Sequence, residues 1–141
     1  PLIIGCCKDE TALFTLKDEA LYSLDDKGLA ARMPAGAADA YKAAYPKESP
    51  SDIWFRYATD KDARAKAIRQ AELQIKKGKS PVHMYHFEWN TPLVDGKIRA
   101  FHTAELPLAM RCVQAASAHR VSQPAIGVVG CARNSPAEGR R

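Results

Sequence analysis

The sequence has 141 residues, of which 46% are hydrophobic and 26% charged, and a formal net charge of +5. These values suit one globular domain or a part of one. No apolar run approaches the roughly 20 residues of a membrane-spanning helix, so we expect no membrane partner. Basic residues alternate with acidic ones, as in Lys17-Asp18-Glu19, instead of forming the one-sided stripe that a nucleic-acid surface favours, so we expect no nucleic-acid partner either.

The cysteines indicate free thiols. Cys6 and Cys7 are adjacent, Cys112 and Cys131 are far away, and no Cys-x-x-Cys spacing occurs. This pattern argues against a zinc ribbon and against a dense disulfide framework. It predicts a reducing compartment and slightly favours the cytoplasm, and no secretory signal peptide is visible in the sequence.

The first predicted element is a strand, Leu2-Ile3-Ile4-Gly5-Cys6, which is apolar on both faces, as strands of parallel sheets are. Asp25-Asp26-Lys27-Gly28 has the composition of a turn. Residues 37–45 suit a short helix that ends before Pro46.

A capped helix is predicted to begin at Ser49. Ser49 suits the N-cap, Pro50 the first helical position, and Asp52 the third, where its charge favours the helix dipole.

A longer helix is predicted over residues 60–77, and Gly78 is placed to end it. The predicted helix has apolar residues at helical spacing that would pack on a sheet. These residues are Ala67, Ile68, Ala71 and Ile75.

The segment Val82–Trp89 is predicted to be a second strand, which Thr91-Pro92-Leu93-Val94-Asp95-Gly96 ends. The order of strand, helices and strand predicts an α/β fold with parallel strands. Residues 111–141 lack Trp, Tyr and Phe and have weak periodicity, so we expect a short helix followed by a disordered end.

Two histidines on the second predicted strand are poor metal ligands. Side chains three positions apart on a strand point to opposite faces, so His83 and His86 cannot chelate one ion. We therefore expect no metal site and no cofactor.

Glu10 and His102 are the candidate catalytic residues. Glu10 follows a buried strand, and open α/β sheets place their sites at the carboxyl ends of such strands. His102 lies on a loop after the second predicted strand and its turn. If the two side chains meet, the carboxylate accepts a hydrogen bond from one ring nitrogen and leaves the other nitrogen free to take a proton from a nucleophile.

Three blocks of sequence resemble the C-terminal part of the type B carboxylesterases, the branch of the α/β-hydrolases that includes para-nitrobenzyl esterases and cholinesterases. Gly5-Cys6-Cys7-Lys8-Asp9-Glu10 is similar to the family block that ends in the acid of the catalytic triad. Pro81-Val82-His83-Met84-Tyr85-His86-Phe87 is similar to a family strand. Ala100-Phe101-His102-Thr103-Ala104-Glu105-Leu106-Pro107 is similar to the block that carries the general base.

The resemblance covers residues 1–111 and implies a fold and an activity. The fold would be the C-terminal part of an α/β-hydrolase with an incomplete sheet. The activity would be hydrolysis of a small carboxylic ester by a Ser-His-Glu triad, with Glu10 as acid and His102 as base. No cofactor is implied, and the oligomeric state is left open.

The departures from the family concern the nucleophile, two loop residues and the tail. None of the seven serines lies in Gly-x-Ser-x-Gly. The resemblance therefore implies that the serine lies upstream of Pro1 in a longer protein and that this chain is inactive alone. Arg99 stands where the family usually has Gly, and Thr11 follows Glu10 where Gly is common in the family. Residues 112–141 lack the aromatic residues of the family tail, as expected of a truncated or frame-shifted end. The alternative is a non-catalytic interaction module with the shape of an α/β-hydrolase.

Overall fold

A computed structural model describes residues 1–78 and 80–109 and shows mixed helix and strand. The predicted tail, residues 112–141, lies outside the described residues. Two strands, β1 (Leu2–Cys7) and β2 (Val82–Phe87), form a parallel sheet in which Leu2 lies opposite Val82 and Cys7 lies opposite Phe87. The predicted parallel pairing is confirmed, although β2 ends two residues before the predicted Trp89.

Among the described residues, four α-helices lie between the two strands. These are α1 (Asp26–Arg32), α2 (Ala37–Ala44), α3 (Pro50–Thr59) and α4 (Ala65–Lys76). After β2, a short helix α5 (Leu106–Ala109) ends the described part. No helix among the described residues has both the length and the apolar character needed to cross a membrane.

The segment predicted as a turn at Asp25–Gly28 is instead the start of α1, so that prediction was wrong. The Asp25 side chain accepts a hydrogen bond from the Gly28 N–H at 2.6 Å and acts as the helix N-cap. Asp favours both turns and N-caps because its carboxylate can accept local backbone hydrogen bonds. The apolar contacts of Leu29, which is fully buried, favour the helix here.

The predicted start of α3 is confirmed. Ser49 accepts a hydrogen bond from the Asp52 N–H at 3.2 Å, and the Asp52 side chain accepts one from the Ser49 N–H at 3.3 Å. Together these bonds form a capping box, with Pro50 in the first turn.

Replacing Ser49 by Ala is expected to lower the free energy of unfolding by about 1 kcal/mol. The Asp52 N–H loses the hydroxyl to which it donates, and the Asp52 carboxylate, which accepts from the Ser49 N–H, loses its hydrogen bond with that hydroxyl. Urea unfolding followed by tryptophan fluorescence measures this loss. Ser23→Ala, at an exposed serine, is the control. Equal stability of Ser49→Ala and the unaltered chain would contradict the cap.

The predicted helix over 60–77 begins with a π-helical turn, Asp60–Arg64, that continues into α4. Helix α4 packs against both strands, and Ala67 and Ala71 of the predicted apolar face are buried. Ile68 and Ile75 of the same face remain more than one-third exposed. Gly78 ends the segment with a φ of 65°, a left-handed conformation that glycine adopts at little cost.

Among residues 1–78 and 80–109, one face of the sheet is covered only near its carboxyl end. Cys7 and Phe87 are buried there with Ala100 and Ala104, which follow β2. At the other end of the same face, Ile3 is 73% exposed. The residues around 100–104 therefore close the carboxyl end of the sheet.

Gly5 lies opposite Tyr85 in the middle of this face. A Cβ atom at Gly5 would overlap the carbonyl oxygen and the ring of Tyr85. A side chain at Gly5 would therefore push Tyr85 away from the carboxyl end of the sheet.

Candidate functional site

Two loops meet beyond the carboxyl end of the sheet. Glu10 lies three residues after the end of β1, and His102 lies in a turn before α5. Because β1 and β2 are parallel, the segments that leave them emerge at the same edge. The fold therefore brings together two residues that are 92 positions apart.

The side chains of Glu10 and His102 are in direct contact. His102 Nδ1 lies 2.6 Å from Glu10 Oε2, which is hydrogen-bond distance. The Glu10 side chain is 15% exposed, whereas the His102 side chain is 52% exposed. The carboxylate is thus shielded from water while the imidazole remains accessible.

The Glu10 carboxylate is held from both of its oxygens. The Cys7 N–H donates to Oε1 at 2.7 Å, which leaves Oε2 for His102. The Glu10 N–H donates to the Thr59 hydroxyl at the end of α3, at 3.0 Å. The orientation of the carboxylate is therefore set by β1 and α3 and does not depend on His102 alone.

Phe14 lies beside the imidazole of His102. The two ring centroids are 5.5 Å apart, with the ring planes inclined at 42°. Phe14 is 70% exposed in the described part of the chain. Since Glu10 engages Nδ1, Nε2 is the ring nitrogen that remains for another partner.

Glu105 forms a second acidic contact beneath the loop of His102. Its carboxylate accepts hydrogen bonds from the Cys7 thiol at 2.8 Å and from the Tyr85 hydroxyl at 3.2 Å. Burial, and after it the charge of Glu105, raises the pKa of Tyr85 to about 12. Burial and the hydrogen bond to Glu105 also raise the pKa of Cys7. Both groups remain protonated at neutral pH and can donate to Glu105.

Neither cysteine thiol near the site is a candidate nucleophile. Burial, assisted by the charge of Glu10, raises the pKa of Cys6 to about 11. Because a cysteine reacts as its thiolate, neither Cys6 nor Cys7 is activated at neutral pH. Both are free thiols.

Asp9 joins the two loops through a pair of hydrogen bonds. The Asp9 N–H donates to the Ala100 carbonyl at 3.0 Å, and the Ala100 N–H donates to Asp9 Oδ2 at 3.3 Å. Both residues are fully buried. Asp9 Oδ1 is buried with no hydrogen-bond partner among the described residues.

The two strand histidines lie apart from this site. His83 and His86 are on opposite faces of β2, as their spacing predicts, and His86 Nδ1 lies 3.1 Å from Glu88. Burial, together with the positive charge of Arg64, lowers the pKa of His86. Within residues 1–78 and 80–109, no three His, Cys, Asp or Glu side chains are grouped as a metal site requires.

Three residues that contact the site were not predicted from the sequence. Glu105 stands in the block with His102, so its position was visible although its partners were not. Asp9 stands between Lys8 and Glu10, and such a charged run normally indicates a solvated surface. Phe14 has no periodic or motif signal that would place it against a residue 88 positions away in the sequence.

The arrangement can transfer a proton but contains no activated nucleophile in the described residues. A carboxylate on Nδ1 holds the imidazole in the tautomer that leaves Nε2 free to accept a proton. No serine, threonine or cysteine among the described residues hydrogen-bonds to His102. A scan of the sequence against models of protein families gives no match.

Proposed function

We propose that this chain supplies the acid and the base of a serine carboxylesterase, with Glu10 as acid and His102 as base. The observation that carries the proposal is the 2.6 Å contact between His102 Nδ1 and Glu10 Oε2. A shielded carboxylate against an accessible imidazole is the arrangement that general-base catalysis of acyl transfer needs.

The sequence blocks support the same proposal. Gly5–Glu10 and Ala100–Pro107, which resemble two blocks of the type B carboxylesterases, meet at one edge of the sheet. The segment Pro81–Phe87, which resembles a third block, supplies the strand that pairs with β1. On this proposal residues 1–111 are the C-terminal part of an α/β-hydrolase domain.

In the proposed mechanism, a serine from outside this chain attacks the carbonyl carbon of a small ester. His102 Nε2 takes the serine proton, while Glu10 stabilises the imidazolium through Nδ1. The imidazolium then protonates the departing alcohol, and an acyl-enzyme remains. Water, activated by the same Nε2, releases the acid, so neither a metal nor a cofactor takes part.

The environment of the imidazole suits this role. The hydrogen bond from the Cys7 N–H fixes the orientation of the Glu10 carboxylate before a substrate binds. Binding therefore carries no entropy cost for ordering this side chain. Phe14 offers an exposed aromatic surface beside the imidazole, where an apolar group of a substrate can pack.

The chain of residues 1–141 alone is expected to hydrolyse a nitrophenyl ester no faster than its His102→Ala variant. The reason is that covalent catalysis is lost with the nucleophile, and triad members act as a unit. Release of nitrophenol, followed by absorbance, measures this. Labelling of a serine of this chain by a fluorophosphonate, together with turnover, would contradict the prediction.

The coding sequence upstream of Pro1 tests the proposal directly. We expect a Gly-x-Ser-x-Gly segment there, at the turn between a strand and a helix. A complete upstream reading frame without such a serine would overturn the esterase proposal.

That outcome would favour a non-catalytic interaction module. The observation in its favour is an exposed apolar side chain on the sheet, Ile3, which is 73% exposed. Ile3 lies on the same face of the sheet as Gly5 and its partner Tyr85. A module would use this face to bind another protein, since apolar sheet faces are normally covered. The upstream sequence thus separates the two functions.

A further inference from the structure

Arg99 adopts a backbone conformation that its side chain does not favour. Its φ is 52°, in the left-handed region, and Thr103 on the other side of His102 has a φ of 72°. This conformation is strained for a residue other than glycine, because the Cβ atom crowds the following carbonyl oxygen. Contacts of the side chain or of the neighbouring peptides must therefore hold Arg99 in place.

The side chain of Arg99 is anchored to α3. Its Nε donates to Asp52 Oδ1 at 2.7 Å, and its Nη1 donates to the Lys97 carbonyl at 2.9 Å. The guanidinium carbon lies 4.7 Å from the centre of the Phe55 ring and 5.6 Å from that of Tyr22. Only 12% of the side chain is exposed, so the contact is more rigid than a surface ion pair.

The partner of Arg99 is itself held. One oxygen of Asp52 takes part in the capping box with Ser49, and the other accepts from Arg99. Burial raises the pKa of Asp52, but the hydrogen bonds from Ser49 and Arg99 outweigh burial, and the pKa lies below its ordinary value. Asp52 therefore stays charged at neutral pH and keeps a fixed orientation.

Arg99 directly precedes Ala100, the residue that hydrogen-bonds the loop of His102 to the loop of Glu10. Ala100 exchanges two hydrogen bonds with Asp9, and Glu10 follows Asp9 in the chain. His102 is two residues beyond Ala100. The loop of His102 is thus fixed at Arg99 against α3 and at Ala100 against the segment of Glu10.

We propose that Arg99 is a positioning residue that, through its ion pair with Asp52, holds the loop of His102 where Nδ1 meets Glu10. The inference rests on the proposed function, because it concerns the same acid and base. A glycine at this position would adopt the same φ without strain but would lack the ion pair with Asp52. The Arg99→Gly variant therefore separates the effect of the ion pair from the effect of the strained backbone.

The test reads the position of the ring proton on His102. The full chain is labelled with ¹⁵N, and the tautomer of each imidazole is read from its nitrogen chemical shifts at about pH 9, where an ordinary imidazole is neutral. In the unaltered chain we expect the proton on Nδ1, facing Glu10. In Arg99→Met and in Arg99→Gly we expect the Nδ1-protonated fraction to fall to that of an unstructured histidine peptide.

Two further variants separate positioning from general stability. Arg99→Lys keeps the charge and should retain part of the Nδ1-protonated fraction, although it cannot reproduce both contacts of the guanidinium. Ile53→Val removes one buried methylene from the same helix and lowers the stability of the fold, yet it should leave the tautomer of His102 unchanged. Arg32→Met, at an exposed arginine, controls for the loss of charge.

The outcomes distinguish this inference from the proposed function. If the unaltered chain carries the proton of His102 on Nε2, the pairing with Glu10 is absent, and the proposed function and the inference both fail. If the unaltered chain carries it on Nδ1 and Arg99→Gly does so equally, the anchor is unnecessary, and only the inference is overturned. A tautomer change in Ile53→Val equal to that in Arg99→Met would likewise overturn it.

Discussion

If the proposed esterase function holds and an upstream serine completes the triad, His102→Ala in the protein of the whole reading frame is expected to lower kcat for ester hydrolysis on the order of 10⁶-fold, and Glu10→Gln on the order of 10⁴-fold. Removal of His102 leaves the serine without a base. Glu10→Gln keeps the shape of the side chain but can donate to Nδ1 and so hold the wrong tautomer. Steady-state hydrolysis of a nitrophenyl ester by the protein of the whole reading frame measures both losses.

Two variants make this comparison specific. Glu10→Asp shortens the side chain by one methylene and should break the 2.6 Å contact with His102, so its activity should resemble that of Glu10→Gln. His83→Ala, on the exposed part of β2, should leave kcat unchanged. Activity of His102→Ala within tenfold of the unaltered protein would show that His102 is not the base, because triad losses are far larger.

The second large effect concerns the pH dependence of stability at Asp9. Burial raises the pKa of Asp9 to about 6, although the Lys8 ammonium, 3.7 Å from Oδ2, works in the opposite direction. The folded chain therefore binds the proton more tightly than the unfolded chain does. The stabilisation that this proton brings is complete below the unfolded pKa, near 4, and is lost as the pH rises through about 6.

Asp9→Asn isolates this contribution, because the amide does not titrate and its oxygen can still accept from the Ala100 N–H. Relative to Asp9→Asn, the unaltered chain should lose up to about 3 kcal/mol of unfolding free energy between about pH 4 and pH 7. Urea unfolding at a series of pH values measures the difference. Other titrating groups, including Asp52 with its lowered pKa, cancel in this comparison.

The control for Asp9→Asn is a surface substitution that changes no titratable group. Gln70→Ala, on the exposed side of α4, should show a difference from the unaltered chain that is constant with pH. A constant difference for Asp9→Asn as well would mean that Asp9 is hydrated in solution. In that case its hydrogen bonds with Ala100 would be weaker than the distances suggest.

The strands and the start of α3 could be predicted because their signals are local. The apolar run of β1 and the Ser49-Pro50-x-Asp52 pattern each act within a few residues, by burial or by hydrogen bonds to the nearest N–H groups. The parallel pairing of β1 with β2 followed from the helices that separate them. For the same reason a local signal failed at Asp25–Gly28, where a carboxylate suits a turn and an N-cap equally.

The exposure of side chains could not be predicted from periodicity. The spacing of the apolar residues in α4 placed Ile68 and Ile75 on the same face as Ala67, and the structure covers Ala67 while leaving the isoleucines partly open. Periodicity indicates which residues share a face. What covers that face depends on the width of the sheet, and the described sheet has two strands.

The sequence by itself determined the two strands and the start of α3, and it singled out Glu10 and His102 as the candidate acid and base. It did so because strand, helix and cap signals are local and because the blocks of Glu10 and His102 are distinctive. Only the tertiary structure decided that the two side chains meet, that Asp9 and Ala100 join their loops, and that Arg99 is anchored to Asp52. These contacts span 47 to 92 residues of chain and depend on how the helices cross over the parallel sheet, which no local pattern specifies.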